Sequence, residues 1–446
     1  MPVTAAEAAR PARGRQYAMP TPVFDVSPSD IVASILAVIA LMFCQQGVIY
    51  YVLQFGFGIE LRDPYLVFGL LTLLVVTVPF IFLLTAAETA TIVGFFALNC
   101  WLTATAMWSP AEIYLAIKVP QTLVFPTLCL LAGFAIGRGG TSRMLAITSM
   151  VIACAMALSF LRSGQTADSF GFTSGVRESI ISYQNFSLAM ALGCLGGGYM
   201  IIVTGRIATR LVCLLVIPIF IYFIALSGGR TGIAFAAIGL VTMTLYMVRL
   251  QAITLAILAT VAGFASLAGY YILEAYAIPI WLDDQMPTTI RRIVYSLYLA
   301  DSMHFDDHSR SVIYSAAIDI FQANPVFGVG WAGFPVAADL PDDPGNYPHN
   351  LFLELLTETG LLGFLPVMVF FGLLVKRTLA GGGDRAARAL MWGLFMASFV
   401  WSFVIGDWPG QRLLFLSFGM MLGLRGLEDK TPAAASGRLP NPNSKG

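Results

Sequence analysis

Apolar runs long enough to cross a lipid bilayer recur about twelve times along this chain, and no other feature limits its fold so tightly. They lie near 31–54, 65–85, 88–108, 114–137, 144–162, 180–204, 211–227, 231–248, 251–274, 351–375, 389–406 and 412–425. Hydrocarbon offers no partner to a bare backbone, so each run must satisfy its own N–H and C=O groups as a helix. The expected fold is an all-α polytopic membrane protein of about 12 transmembrane helices, with one large periplasmic loop containing short amphipathic helices. Composition agrees, because 58% of the 446 residues are hydrophobic and 11% are charged, where a soluble domain carries about 25% charged residues. The formal net charge is zero, which argues against a nucleic-acid partner.

The polar stretches divide the chain into residues 1–29, spans over 30–275, a polar island at 276–350, further spans over 351–425, and a tail at 426–446. The first segment holds Arg10, Arg13 and Arg15 and no short apolar core with a small-residue cleavage site, so it reads as a cytoplasmic tail rather than a signal peptide. The tail at 426–446 is rich in Pro, Ser and Lys and reads as disordered. With the N-terminus inside, Lys and Arg favour the inner segments by roughly two to one. That places both tails in the cytoplasm and the island outside, which in a bacterium is the periplasmic side of the inner membrane. The inner turn Ala86-Ala87-Glu88-Thr89 carries no positive charge and is the weakest point of this topology. All six cysteines fall in apolar runs, as buried small hydrophobes rather than a disulfide or zinc framework.

The island holds all three histidines, His304, His308 and His349, the side chains that titrate near neutral pH. In His304-Phe305-Asp306-Asp307-His308 two histidines stand four apart beside carboxylates, a metal-like spacing if helical. A third strong ligand is lacking, so an acidic loop is the preferred reading and no metal is assigned. Nine aspartates against three arginines make the island acidic, so an anion site there requires individually placed arginines. Arg310 opens an amphipathic stretch over 311–321, which Asn324-Pro325 ends; Gly328-Val329-Gly330-Trp331-Ala332-Gly333 then reads as a flexible turn. Pro348-His349-Asn350 precedes a helical run in which Asn350 is the expected cap. The positive end of that helix favours neutral imidazole, which can accept a proton. A structural interface histidine is an equal alternative. Glu354 and Glu358 share a helix face and either orient a partner or face an aqueous mouth.

A second cation stands at a membrane boundary in Ser227-Gly228-Gly229-Arg230-Thr231-Gly232. An arginine beside hydrocarbon snorkels, pairs or binds an anion. Glycines give a ligand room and the following helix start offers free N–H groups, a plausible phosphate seat. The alternative is an ordinary interfacial turn.

The ordered set of Ser227 through Gly232, Arg310, Asn324-Pro325 through Gly330, and Pro348-His349-Asn350 through Glu358, Gly360 and Gly363 resembles the O-antigen ligase and polymerase superfamily of bacterial membrane glycosyltransferases. Arg177 and Asn185, around Tyr183-Gln184-Asn185-Phe186, add a weaker match. The resemblance covers mainly 175–365. It implies an undecaprenyl-diphosphate-linked glycan donor, a glycan or lipid acceptor such as lipid A-core, no cofactor, and transfer without metal. It also implies that Arg230 and Arg310 bind the diphosphate and that His349 activates the acceptor, with Arg177, Asn185, Ser227, Asn350 and Glu354 in support. A ligase is the leading reading and a Wzy-type polymerase of O-antigen or exopolysaccharide repeat units the alternative. From another class, a secondary transporter would show internal repeats and midspan polar residues. No convincing repeat is visible, and Gln45, Gln46 and Lys118 are the notable midspan polar groups.

Overall fold

The computed structural model describes residues 28–44, 84–163, 183–227, 229–248, 307–379, 384–404 and 406–428. Among them the regular structure is helical: α1 (Pro28–Cys44), α2 (Ala86–Ala104), α3 (Ile113–Arg138), α4 (Ser142–Ser163), α5 (Tyr183–Val203), α6 (Ile207–Ser227), α7 (Arg230–Val248), α8 (Asp307–Ala323), α9 (Leu351–Leu379), α10 (Arg385–Trp401) and α11 (Arg412–Glu428). A single helical turn, Phe334–Ala337, and 3-10 turns at Thr105–Trp108 and Trp408–Gly410 join them. Seven of the described helices are long and apolar enough to cross a membrane; α1, α10 and α11, of 17 residues each, are shorter. Apart from Leu84 and Thr85, the expected spans at 65–85 and 251–274 lie outside the described residues, as does the island before residue 307.

The described connections gather the helix ends into two groups. Residues 139–141, 204–206 and 384 belong to one end; 105–112, 229, 324–350, 402–404 and 406–411 belong to the other, here termed the loop end. At the first end Thr85 and Glu88 cap α2 reciprocally, with Thr85 N–H donating to Glu88 Oε2 at 2.7 Å. Arg138, at the end of α3, lies 3.6 Å from the same carboxylate. The turn at 86–89, which has no positive charge of its own, thus receives one from the next helix.

The tightest packing joins α3 to α11. A Cβ on Gly133 would lie 2.0 Å from Leu416 O and one on Gly137 2.1 Å from Met420 O. Gly419 and Gly423 face Leu130 O and Phe134 O in return, at 2.0 and 2.2 Å. Both helices therefore carry a Gly-x-x-x-Gly stripe, and the stripes interlock so that the backbones touch. Lipid supplies no hydrophobic drive between helices, so close van der Waals contact is what such stripes contribute.

The expected span at 351–375 is long and apolar but not continuous. Gly360 has φ 59° and ψ −162°, which divides α9 into α9a (351–359) and α9b (361–379). Helix hydrogen bonding stops there, and residues 325–330 take over. Val329 N–H donates to Thr357 O at 2.9 Å and Gly330 N–H to Glu358 O at 2.8 Å, while Leu361 and Leu362 N–H donate to Pro325 O and Val326 O at 2.9 and 3.1 Å. The glycine segment expected to be flexible is thus docked, with Gly328, Gly330, Trp331, Ala332 and Gly333 buried. No side chain fits at Gly360, where a Cβ would stand 2.4 Å from Val326 O in a backbone region open essentially to glycine alone.

Candidate functional site at the loop end

His349 stands two residues before α9a, half-buried, at φ 53°. Left-handed backbone is uncommon for a non-glycine residue, although histidine is among those enriched there. The Tyr347 ring centroid is 4.2 Å from the imidazole. Asn350 is the cap expected of it: its Oδ1 accepts from Phe352 N–H at 3.0 Å and Leu353 N–H at 3.1 Å. Leu351 N–H reaches Ser402 O, beyond α10, at 2.9 Å.

The two glutamates of α9a do not face an aqueous mouth. Both are fully buried and both meet Lys118 of α3, Glu354 Oε1 at 2.5 Å and Glu358 Oε2 at 2.6 Å from Nζ. Glu354 also accepts from Trp408 N–H at 3.0 Å, and Glu358 from Ala332 N–H at 2.8 Å. Glu358 Oε1 is buried with no hydrogen-bond partner. The Trp331 ring covers the ammonium at 4.4 Å, with Tyr114 at 5.0 Å. Trp331 Nε1 donates to Thr122 Oγ1 at 3.0 Å, Tyr114 OH to Asp407 Oδ2 at 2.9 Å and Trp408 Nε1 to Asn99 Oδ1 at 2.8 Å. Removing the Lys118 ammonium from such a desolvated set would typically cost about 3–5 kcal/mol, because the buried carboxylates are left uncompensated. Just outside, Asp342 caps α3 from the island, accepting from the N–H groups of Glu112, Ile113 and Tyr114 at 2.8, 2.7 and 3.0 Å. Slight desolvation raises its carboxyl, but the three backbone donors outweigh that and hold it below the ordinary value.

Arg230 is the first residue of α7, at the same end of the bundle. Ser227 Oγ donates to Ile224 O at 2.9 Å and accepts from Gly229 N–H at 3.3 Å, which shapes the turn. Gly232 has a different use from the one expected. A Cβ there would lie 2.5 Å from Ser187 Cβ, so its missing side chain admits α5 rather than a ligand. Asn185, half-buried, is in the first turn of α5. Trp401 packs edge-on against Phe235 of α7 at 5.7 Å, and the next residue, Ser402, accepts from Leu351 N–H, so α7 and the start of α9a both contact the end of α10. Arg310 is in the first turn of α8, which extends the expected amphipathic stretch back to Asp307 and so takes in His308, expected in a loop. Arg177 and His304 lie outside the described residues.

Glu354, on the helix that Asn350 caps, thus joins a buried cluster that includes Lys118, Trp331, Asp407 and Trp408. The last four had no assigned role from sequence. The one signal was Lys118 itself, a lone cation in an apolar run, and nothing local named partners more than 230 residues away.

The fold is that of a multi-span helical membrane protein with a polar loop end. Residues 211–368 match the family model described as O-Antigen ligase. That match falls on the same part of the chain as the motifs from Ser227 to Gly363 and supports their resemblance to the O-antigen ligase and polymerase superfamily. No curated protein matches the chain.

Proposed function

We propose that this chain transfers a glycan from undecaprenyl diphosphate to an acceptor hydroxyl at the periplasmic face of a bacterial inner membrane, with lipid A-core or a similar lipid as acceptor. The observation that carries the reading is the placement of His349, held at φ 53° before a capped helix start within the matched family region. Histidine is the usual side chain for taking a proton from a hydroxyl near neutral pH. In this reading the acceptor O–H gives its proton to the imidazole as its oxygen attacks the anomeric carbon. The bond from that carbon to the diphosphate oxygen breaks on the opposite face, and the electron pair leaves with the diphosphate. The product is inverted and no metal is required. Arg230 and Arg310 supply fixed positive charge where the leaving group develops its own. Arg177, Asn185, Ser227, Asn350 and Glu354 are supporting residues. Polymerisation of repeat units uses the same chemistry with a glycan as acceptor.

The test uses proteoliposomes of the full chain and the lipid-linked glycan fraction from a strain deleted for this gene. Transfer is expected to survive a chelator. It should fall by about 10²–10⁴-fold in His349→Ala and by about 10²–10³-fold in Arg230→Ala or Arg310→Ala. Undiminished transfer by His349→Ala would sink its role as base. In the deletion strain, long glycan retained on its carrier marks a ligase, and single-unit glycan marks a polymerase.

A further inference from the structure

We propose that Lys118 is a positioning residue for His349, acting through Glu354 and Glu358; this rests on the reading of His349 as the base. The break at Gly360 leaves α9a as a nine-residue helix detached from the hydrogen-bond ladder of α9b. A helix that short does not hold itself in water or set its own direction; tertiary anchors must do both. Three anchors are present. Leu351 N–H is tied to Ser402 O at its start, and Glu354 and Glu358, one turn apart on one face, converge on a single ammonium from α3. Apolar packing alone holds a helix but tolerates small slides and rolls. An ammonium whose donors are met by two buried carboxylates, with aromatic rings over the remaining side, is satisfied in one register only.

The set is also energetically uncomfortable, since Glu358 Oε1 is buried without a partner. Neutral, well-packed replacements of buried ion sets are often equally stable, so the charges are better explained by what they orient. Asn350, the cap of α9a, adjoins its first residue, and His349 comes immediately before that cap. A roll of α9a therefore moves the imidazole, and misplacement of a reacting group by 1 Å can cost about 10²-fold in rate.

Two variants separate positioning from folding. Glu354→Gln leaves one cation facing one carboxylate. The triple variant Lys118→Met/Glu354→Gln/Glu358→Gln removes all three charges at once. In the proteoliposome assay, kcat is expected to fall about 10-fold in the first and about 10²-fold in the second, with KM within about threefold of the parent. The second readout needs no substrate. With His304→Gln/His308→Gln, His349 is the only histidine, and its ¹⁵N line in labelled proteoliposomes reports its surroundings. That line is expected to shift or broaden in both variants. Parental kcat together with an unmoved His349 line in Glu354→Gln and in the triple variant overturns the proposal; should the triple variant not fold, Glu354→Gln decides alone. If the parent itself transfers no glycan, the reading of His349 as base fails separately. The ¹⁵N line then decides the positioning: displaced in the variants it stands, unmoved it falls.

Discussion

Replacing Gly360 with alanine tests whether the break in α9 is built by the turn that docks into it. The added Cβ would meet Val326 O at 2.4 Å, its carbonyl carbon at 2.5 Å and Gly328 N at 2.7 Å. Ordinary contact begins near 3.4 Å, so residues 325–330 must withdraw by about 1 Å or the backbone at 360 must leave its conformation. Withdrawal breaks the four hydrogen bonds across the break, each worth about 1 kcal/mol net. If the turn stays, a non-glycine residue is held in a forbidden region at about 1–3 kcal/mol, with the steric overlap in addition. The first route costs about 4 kcal/mol and the second about 1–3 kcal/mol before the overlap is counted, so a loss of several kcal/mol is expected. Gly372→Ala, in the same element, is the control: nothing lies within 4 Å of its added Cβ, and alanine in a helix interior gains up to about 1 kcal/mol over glycine. Reversible unfolding in mixed micelles compares the two variants. Amide exchange at Val329, Gly330, Leu361 and Leu362 shows whether the turn has unlatched. Equal stability of the two variants, with those amides protected as before, would refute the argument.

Valine at Gly137 must push α3 and α11 apart, because the Cβ site is 2.1 Å from Met420 O; a loss of about 3 kcal/mol is expected in the same unfolding measurement. Gly133→Ala/Gly137→Ala should cost less than its two single changes together, since one separation relieves both contacts. Asp342→Ala removes the cap of α3 and should cost about 1 kcal/mol and speed exchange at Glu112, Ile113 and Tyr114. The pH dependence of that cap has a fixed sign. Asp342 titrates below its ordinary 3.8 in the folded chain, so its contribution is full above that value and is lost as pH falls through the lower folded value. An acid titration should show the slope in the parent and lack it in Asp342→Ala.

Much of this protein was legible in local sequence, and the reasons are local. Hydropathy over about 20 residues sets which segments must be helical, whatever they pack against. Capping chemistry acts over three or four residues, which is why Asn350 and the α8 stretch ending at Asn324-Pro325 were readable in advance. The Gly-x-x-x-Gly spacing of Gly133/Gly137 and Gly419/Gly423 stands in the sequence too, but spacing names no partner. That α3 and α11 choose each other depends on how ten or more helices share one bundle.

The site divides in the same way. His349, Arg230 and Arg310, the residues proposed for glycan transfer, all lie within 211–368, the part of the chain that matches the family model. What only the tertiary structure decided is the use of the charges between them. In the sequence, Glu354 and Glu358 either orient a partner or face an aqueous mouth, because a shared helix face does not say what covers it. They are dry because α3 brings Lys118 between them and Trp331 closes over it. A glycine at 360 signals permission for an unusual backbone; the chain segment at 325–330 turns that permission into a break. Local sequence determines what each segment is able to be. Pairing across hundreds of residues, set by close packing and by the high cost of an unmatched buried charge, determines which of those options is taken.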